Sequence, residues 1–205
     1  PGEVKSMDGL VANLGSHLPA WRTNAQDALI QEGLSVVPRL KTELAKTKVS
    51  KGHETWLVWT IGRIDPATWL DGNQNQLIQS IRVAAFNQRM RPEITGALKH
   101  SEPRIRLEAV LALRQISPPE AHIALLELAE VETDRIVNYA IWGALTDLLS
   151  VEERKKLRWD KRSSIRLAAL LGLLEEDALT EEEIEESTKD SHFPIKNLAK
   201  KRLGG

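Results

Sequence analysis

Five basic residues in this 205-residue chain each follow a hydrophobic one: Trp21-Arg22, Ile81-Arg82, Ile105-Arg106, Ile165-Arg166 and Ile195-Lys196. A guanidinium presents a planar fork of donors that matches a carboxylate or a phosphate in two bonds at once. Set in a row, such groups would bind an acidic partner or a phosphate backbone. The competing reading is that each bonds a carbonyl or carboxylate of a neighbouring segment and fastens the structure together. One charge per step, with no second basic row and a net charge of −1, is too sparse for general nucleic-acid binding. The six tryptophans raise a second chemistry, stacking of bases or sugars on aromatic faces. Trp56 and Trp59 lie three apart with Trp69 close behind, which is also the spacing of a helical core cluster. Trp142 shares an apolar stripe with Ile141 and Leu145, and Trp159, beside a charged turn, is expected to be partly exposed.

Other chemistries lack their residues. There is no cysteine, which excludes disulfides, thiolate metal sites, a cysteine nucleophile and covalent haem attachment in this segment. No phosphate-cradling glycine loop, Gly-x-Ser-x-Gly elbow or His-Glu-x-x-His occurs. Carboxylates cluster only in the run Glu175–Glu186, read here as a solvated surface with ordinary pKa values. The residues that remain as binding candidates are Arg22, Arg82, Arg106, Arg166, Lys196 and Trp56. No catalytic residue, metal ligand or cofactor is expected.

The elements that position these candidates repeat. In Ser101-Glu-Pro-Arg-Ile-Arg-Leu-Glu-Ala-Val-Leu-Ala-Leu113 a polar turn ending in proline leads into Ile105, Ala109, Ala112 and Leu113, one stripe at helical period. The design recurs at Ile165/Ala169/Leu173, at Ile195/Ala199/Leu203, at Val137/Ile141/Ala144/Leu145 and at Trp21/Ala25/Ala28/Leu29. Ile81-Arg82-Ala85 is a looser copy, and His53–Ile64 joins the series by position. Units then begin near residues 21, 55, 81, 105, 137, 165 and 195, steps that fit pairs of short helices. Partner helices are predicted at Val37–Ala45, Pro92–Lys99, Glu120–Glu130 and Thr180–Ser187. Ser117-Pro-Pro and Ser150-Val-Glu-Glu read as helix starts, the second a capping box, and Asp71-Gly-Asn-Gln-Asn reads as a loop. With 41% hydrophobic and 28% charged residues and no strand-like alternation, the fold class is all-α. One array over residues 1–205, with no internal linker, is the expected organisation.

At Glu102–Leu113 the chain resembles a HEAT or HEAT-like repeat. The resemblance implies a right-handed α-α superhelix, a HEAT-like solenoid of about six to seven helix pairs. It also implies that the second helix of each unit opens with a hydrophobic residue and an arginine and lines the concave face. Arg22, Arg82, Arg106, Arg166 and Lys196 match that position; Asn138 and Trp56 depart from it. Such motifs name an architecture, not an activity. A narrower resemblance lies in Gly9-Leu-Val-Ala-Asn-Leu-Gly-Ser, Trp21-Arg-Thr-Asn-Ala-Gln and His53-Glu-Thr-Trp-Leu-Val-Trp-Thr-Ile. These segments are similar to the HEAT region of large exported bacterial proteins that join a sugar-dehydrogenase-like propeller to a cytochrome c domain. It implies a piece that connects redox domains, carries no haem and is periplasmic or exported; without it a cytoplasmic location is the expectation. His53-Glu54 also resembles the pairs of the HEAT-fold iron hydroxylase acting on a lysine-derived residue. That site needs several pairs, and His17, His100, His122 and His192 have no adjacent Glu.

The reading is therefore a non-catalytic module for protein–protein interaction or inter-domain scaffolding. Its partners are another protein or flanking domains of the same chain, with no nucleic acid, no membrane span and a monomeric state. The alternatives are an accessory region of an exported haem-containing dehydrogenase-like protein, or a HEAT-fold nucleic-acid binder or DNA glycosylase. Because Ile195–Leu203 would expose an apolar face, the intact protein is expected to continue past residue 205.

Overall fold

A short acceptor side chain in the turn sets where most of the longer helices begin. Ser16, His100, Glu132, Asp160 and Asp190 each accept a hydrogen bond from the backbone N–H two residues on, at 2.7–3.1 Å. At Ser16, Asp160 and Asp190 this closes a turn of the Asx or Ser/Thr kind, and His100 and Glu132 make the equivalent bond with longer side chains, leaving the chain extended for helix entry. The structure is a computed structural model and describes residues 6–204. Among these residues it holds six short helices: α1 Met7–Asn13, α3 Val37–Leu44, α6 Pro92–Ala97, α8 Ala121–Val131, α10 Val151–Leu157 and α12 Glu181–Ser187. The seven longer ones are α2 Pro19–Glu32, α4 Lys51–Ile64, α5 Gln74–Phe86, α7 Pro103–Ile116, α9 Arg135–Leu148, α11 Ser163–Glu175 and α13 Phe193–Gly204. Six of them begin within about four residues of the expected starts, while α5 begins at Gln74, seven residues ahead of the start expected near 81; six have a short partner ahead of them. Before α5 there is none; instead Ser80 pins the loop, donating to the Leu70 carbonyl at 2.8 Å and accepting from the Leu70 N–H at 3.2 Å.

The chain divides into two compact units, residues 1–94 and 95–205, with the boundary inside α6. In the first, α1 packs on α2 and α3 on α4, while α4 meets both α2 and α5. Leu14, Leu29, Leu40, Leu57 and Ile61 are fully buried there. In the second, α7, α9, α11 and α13 stack in succession, with α8, α10 and α12 against α9, α11 and α13. Ile105, Leu113, Leu125, Ile141 and Ile165 form its interior. Each such side chain contributes about 1.5–3 kcal/mol by leaving water.

Several expectations shift. Ser117 does not start a helix: it ends α7 at φ +50°, donating its N–H to the Leu113 carbonyl, and α8 begins at Ala121. Two stripe positions are not core, since Trp21 and Leu203 are exposed. The loop at residue 71 closes early, because Asn73 caps α5 by accepting from the Gln76 N–H. The capping box at Ser150 and Glu153 forms as read, and Thr180 with Glu183 makes another.

Candidate functional site

Position four of a long helix carries the ladder. Arg22, Arg106 and Arg166 are the fourth residues of α2, α7 and α11, and each reaches back to the carbonyl six residues earlier. Arg22 Nη1 donates to Ser16 at 2.6 Å, Arg106 Nη1 to His100 at 2.8 Å, and Arg166 Nη1 to Asp160 at 2.9 Å. Asn138, the fourth residue of α9, does the same with Glu132 at 3.1 Å. The other edge of the guanidinium reaches forward. Arg106 binds the Glu132 carboxylate through Nε and Nη2 at 2.6 and 2.7 Å, and Arg166 binds Asp190 at 2.7 and 2.9 Å. Glu132 and Asp190 are the turn residues of the next helix pair, so each arginine joins one repeat to the next. Both carboxyls are held below their ordinary range, Glu132 by the Arg106 guanidinium and Asp190 by Arg166.

Two candidates leave this register. Arg82 is the ninth residue of α5, not the fourth, because Asn73 starts that helix early. Trp56 lies two past the fourth position of α4, which Glu54 holds. Glu54 is buried and inverts the scheme, its carboxylate accepting from the amides of Asn73 (2.6 Å), Asn75 (2.6 Å) and Gln76 (2.9 Å) ahead of and within α5. Burial acts to raise its pKa, but these donors together outweigh it and the value is lowered. Its neighbour His53 donates from Nε2 to the Val11 carbonyl at 3.0 Å and covers Gly15, where a Cβ would come within 2.9 Å of the ring. Lys196 keeps the fourth position of α13 and makes no side-chain hydrogen bond among the described residues.

Three tryptophans of the first unit, Trp56, Trp59 and Trp69, are engaged within it, while Trp21 is exposed. Arg22 lies over Trp56 and Arg91 over Trp69, each 5.4 Å from the ring centre. Trp59 donates to Gln79 Oε1 at 2.9 Å and meets Phe86 edge-on. Arg91, which the sequence did not single out, also holds the Ala67 carbonyl at 2.8 Å. Likewise missed were Arg154 on α10 and Arg158 just past its end, buried one turn apart. Arg154 binds Glu176 at 2.6 Å, and Arg158 donates to the Glu183 carbonyl at 2.5 Å and to Glu186 at 3.4 Å. The acidic run is therefore a set of counter-charges and not only a solvated face. Glu183 is lowered in pKa, first by the Thr180 N–H and then by Lys155. The available signal was the four-residue spacing of two arginines 22 to 28 residues ahead of those acids.

The second unit also carries an open groove of about 880 Å³ across α7, α9, α11 and α13. Their directions follow from paired ends. Arg106 near the start of α7 binds the turn before α9, and Arg114 near its end binds Asp147 near the end of α9, so the two run parallel. Arg166–Asp190 and Arg202–Asp177 fix α11 and α13 in the same way. The starting and middle turns of the helices present Leu107, Leu111, Ile136, Tyr139, Leu171 and Leu198, and the charges Arg114, Asp147, Glu175 and Lys201 lie in the last turns. Tyr139 is 70% exposed and Ile136 66%. Trp142, read as core, is half-buried and lines this groove. A second hollow against the starts of α9 and α11 shares Ile136, Tyr139 and Trp142.

Residues 57–146, from α4 into α9, match the family model for HEAT repeats. The match supports a HEAT-like repeat family, and the fold class is all-α and HEAT-like. No curated protein matches the chain. No helix among the described residues is long and apolar enough to cross a membrane.

Proposed function

We propose that the chain is a non-catalytic helical-repeat module whose second unit contacts protein, either a separate partner or a flanking segment of its own chain. The observation that carries this reading is the exposed ridge Ile136–Tyr139 in an apolar groove. Apolar side chains held open to water across several packed helices are characteristic of contact surfaces. Engagement of Arg106 and Arg166 within the fold supports giving the ladder a fastening role and the groove the binding role. HEAT repeats commonly act as interaction scaffolds, which agrees with that division. The test is a photo-reactive residue at position 139, compared with one at Ile123 on α8, outside the groove, in cells that make the intact protein. The reading expects a cross-link from position 139 to one defined protein, or to a defined segment of its own chain, and none from 123. No adduct at 139, or equal adducts at both, contradicts it.

A further inference from the structure

We infer that the groove of the second unit receives an amphipathic α-helix of about four turns, lying along α9. This rests on the interaction reading above and names the partner's chemistry.

Three observations lead to a helix. The first concerns hydrogen bonds. The groove's walls are helices whose backbone donors and acceptors are already used in their own turns, and its floor between Leu107 and Leu198 is mostly hydrocarbon. An extended peptide laid there would bury N–H and C=O groups without partners, a cost that a strand escapes only by joining a sheet edge. A helix brings its hydrogen bonds with it.

The second is shape. Tyr139, Ala140 and Gly143 stand three, four and seven residues after Ile136 along α9, and Leu111 and Arg114 stand four and seven after Leu107 along α7. These are ridges of the kind that interdigitate with the ridges of another helix. Gly143 lets the Arg114 guanidinium lie flat against α9, since a Cβ there would come within 3.1 Å of Arg114 Nη1. α9 has 14 residues, about 21 Å of axis, which sets the length of the occupant.

The third is charge. Most charges at the ending rim are already satisfied: Arg114 by Asp147, Glu176 by Arg154, Arg202 by Asp177. Glu175 and Lys201 also line the groove and pair with nothing among the described residues. They stand on neighbouring helices, roughly 8–10 Å apart between axes. A docking helix therefore has an apolar stripe toward Leu111, Tyr139 and Leu171, with a basic residue for Glu175 and an acidic one for Lys201 at one end.

The probe is a random 16-residue peptide library displayed on phage and selected on the intact protein, with Tyr139→Glu as the counter-target. Tyr139 is largely in solvent, so the variant should keep its fold, checked by unchanged circular dichroism and melting. Expected are sequences with apolar residues three and four apart, a gain of helical signal on binding, and an affinity loss of about tenfold or more with Tyr139→Glu. Glu175→Lys should weaken the peptides carrying a basic end residue several-fold and spare the others. Enrichment of extended or proline-rich sequences overturns the helix but leaves the interaction reading intact. Binding indifferent to Tyr139→Glu, or no enrichment over the variant, also overturns it. The cross-link at position 139 judges the interaction reading separately.

Discussion

In Arg106 one guanidinium serves two repeats, closing its own turn through the His100 and Ser101 carbonyls and gripping Glu132 of the next. The Glu132 side chain is 1% exposed, so removing the arginine would strand a buried carboxylate. The pH dependence has a definite sign. Arg106 keeps the Glu132 carboxyl below its ordinary value of 4.5, so the folded chain resists protonation more than the unfolded chain does. The pair's contribution is complete above that ordinary value and fades as pH falls through the lower folded-state value. Arg106→Gln should thus melt well below the native protein near neutral pH, and the gap should close on acidification. Thermal melts from pH 7 down to about pH 3 test this, and a gap that stays constant would show that the pair is not what the substitution removes. Arg106 was legible in the sequence because a hydrophobic–basic pair behind a turn is a local pattern. Glu54 was not, since its role depends on amides about 20 residues ahead that no helical period connects to it. The buried Arg154 and Arg158 were missed for a like reason, because a basic stretch on a short helix reads as solvent-facing until the acidic run is folded against it.

Among the elements, α9 and α5 show how the ladder tolerates exceptions. α9 carries Asn138, which closes its own turn but is too short to grip Asp160 of the next one. Asp160 is instead bound by Arg162, at 2.9 and 3.0 Å, within its own turn. Arg162→Ala should therefore destabilise the second unit by about 1–2 kcal/mol, and Asn138→Arg should be near neutral alone but restore part of the loss in the double variant. Denaturant unfolding of the two single variants and the double variant measures the coupling; strictly additive effects would mean that residues 138 and 162 do not share Asp160. The seven long helices were legible because their stripes and turn residues agree. The start of α5 was not, since no short helix precedes it and Asn73 competes with the downstream Ile81-Arg82 pattern. Trp142 was misplaced because an apolar stripe on a stacked helix has two sides: one enters the core, and the other floors the groove.

Across the whole chain, two kinds of residue that look alike in sequence do different work. Ladder residues hold repeat to repeat, and groove residues are held open by them. Stability and binding should then respond to different substitutions, since surface positions kept for contact contribute little to folding. Arg166 and Tyr139 lie in the same unit, one with its guanidinium in a two-pronged ion pair, the other 70% exposed. The most direct measurement is the thermal unfolding of Arg166→Ala beside Tyr139→Glu. The account predicts a loss of about 2–3 kcal/mol for Arg166→Ala, which leaves Asp190 without its partner. For Tyr139→Glu it predicts a change within about 0.5 kcal/mol. If Arg166→Ala melts like the native protein while Tyr139→Glu falls, the ladder is free for a ligand, the tyrosine belongs to the core, and the division of roles argued here is contradicted.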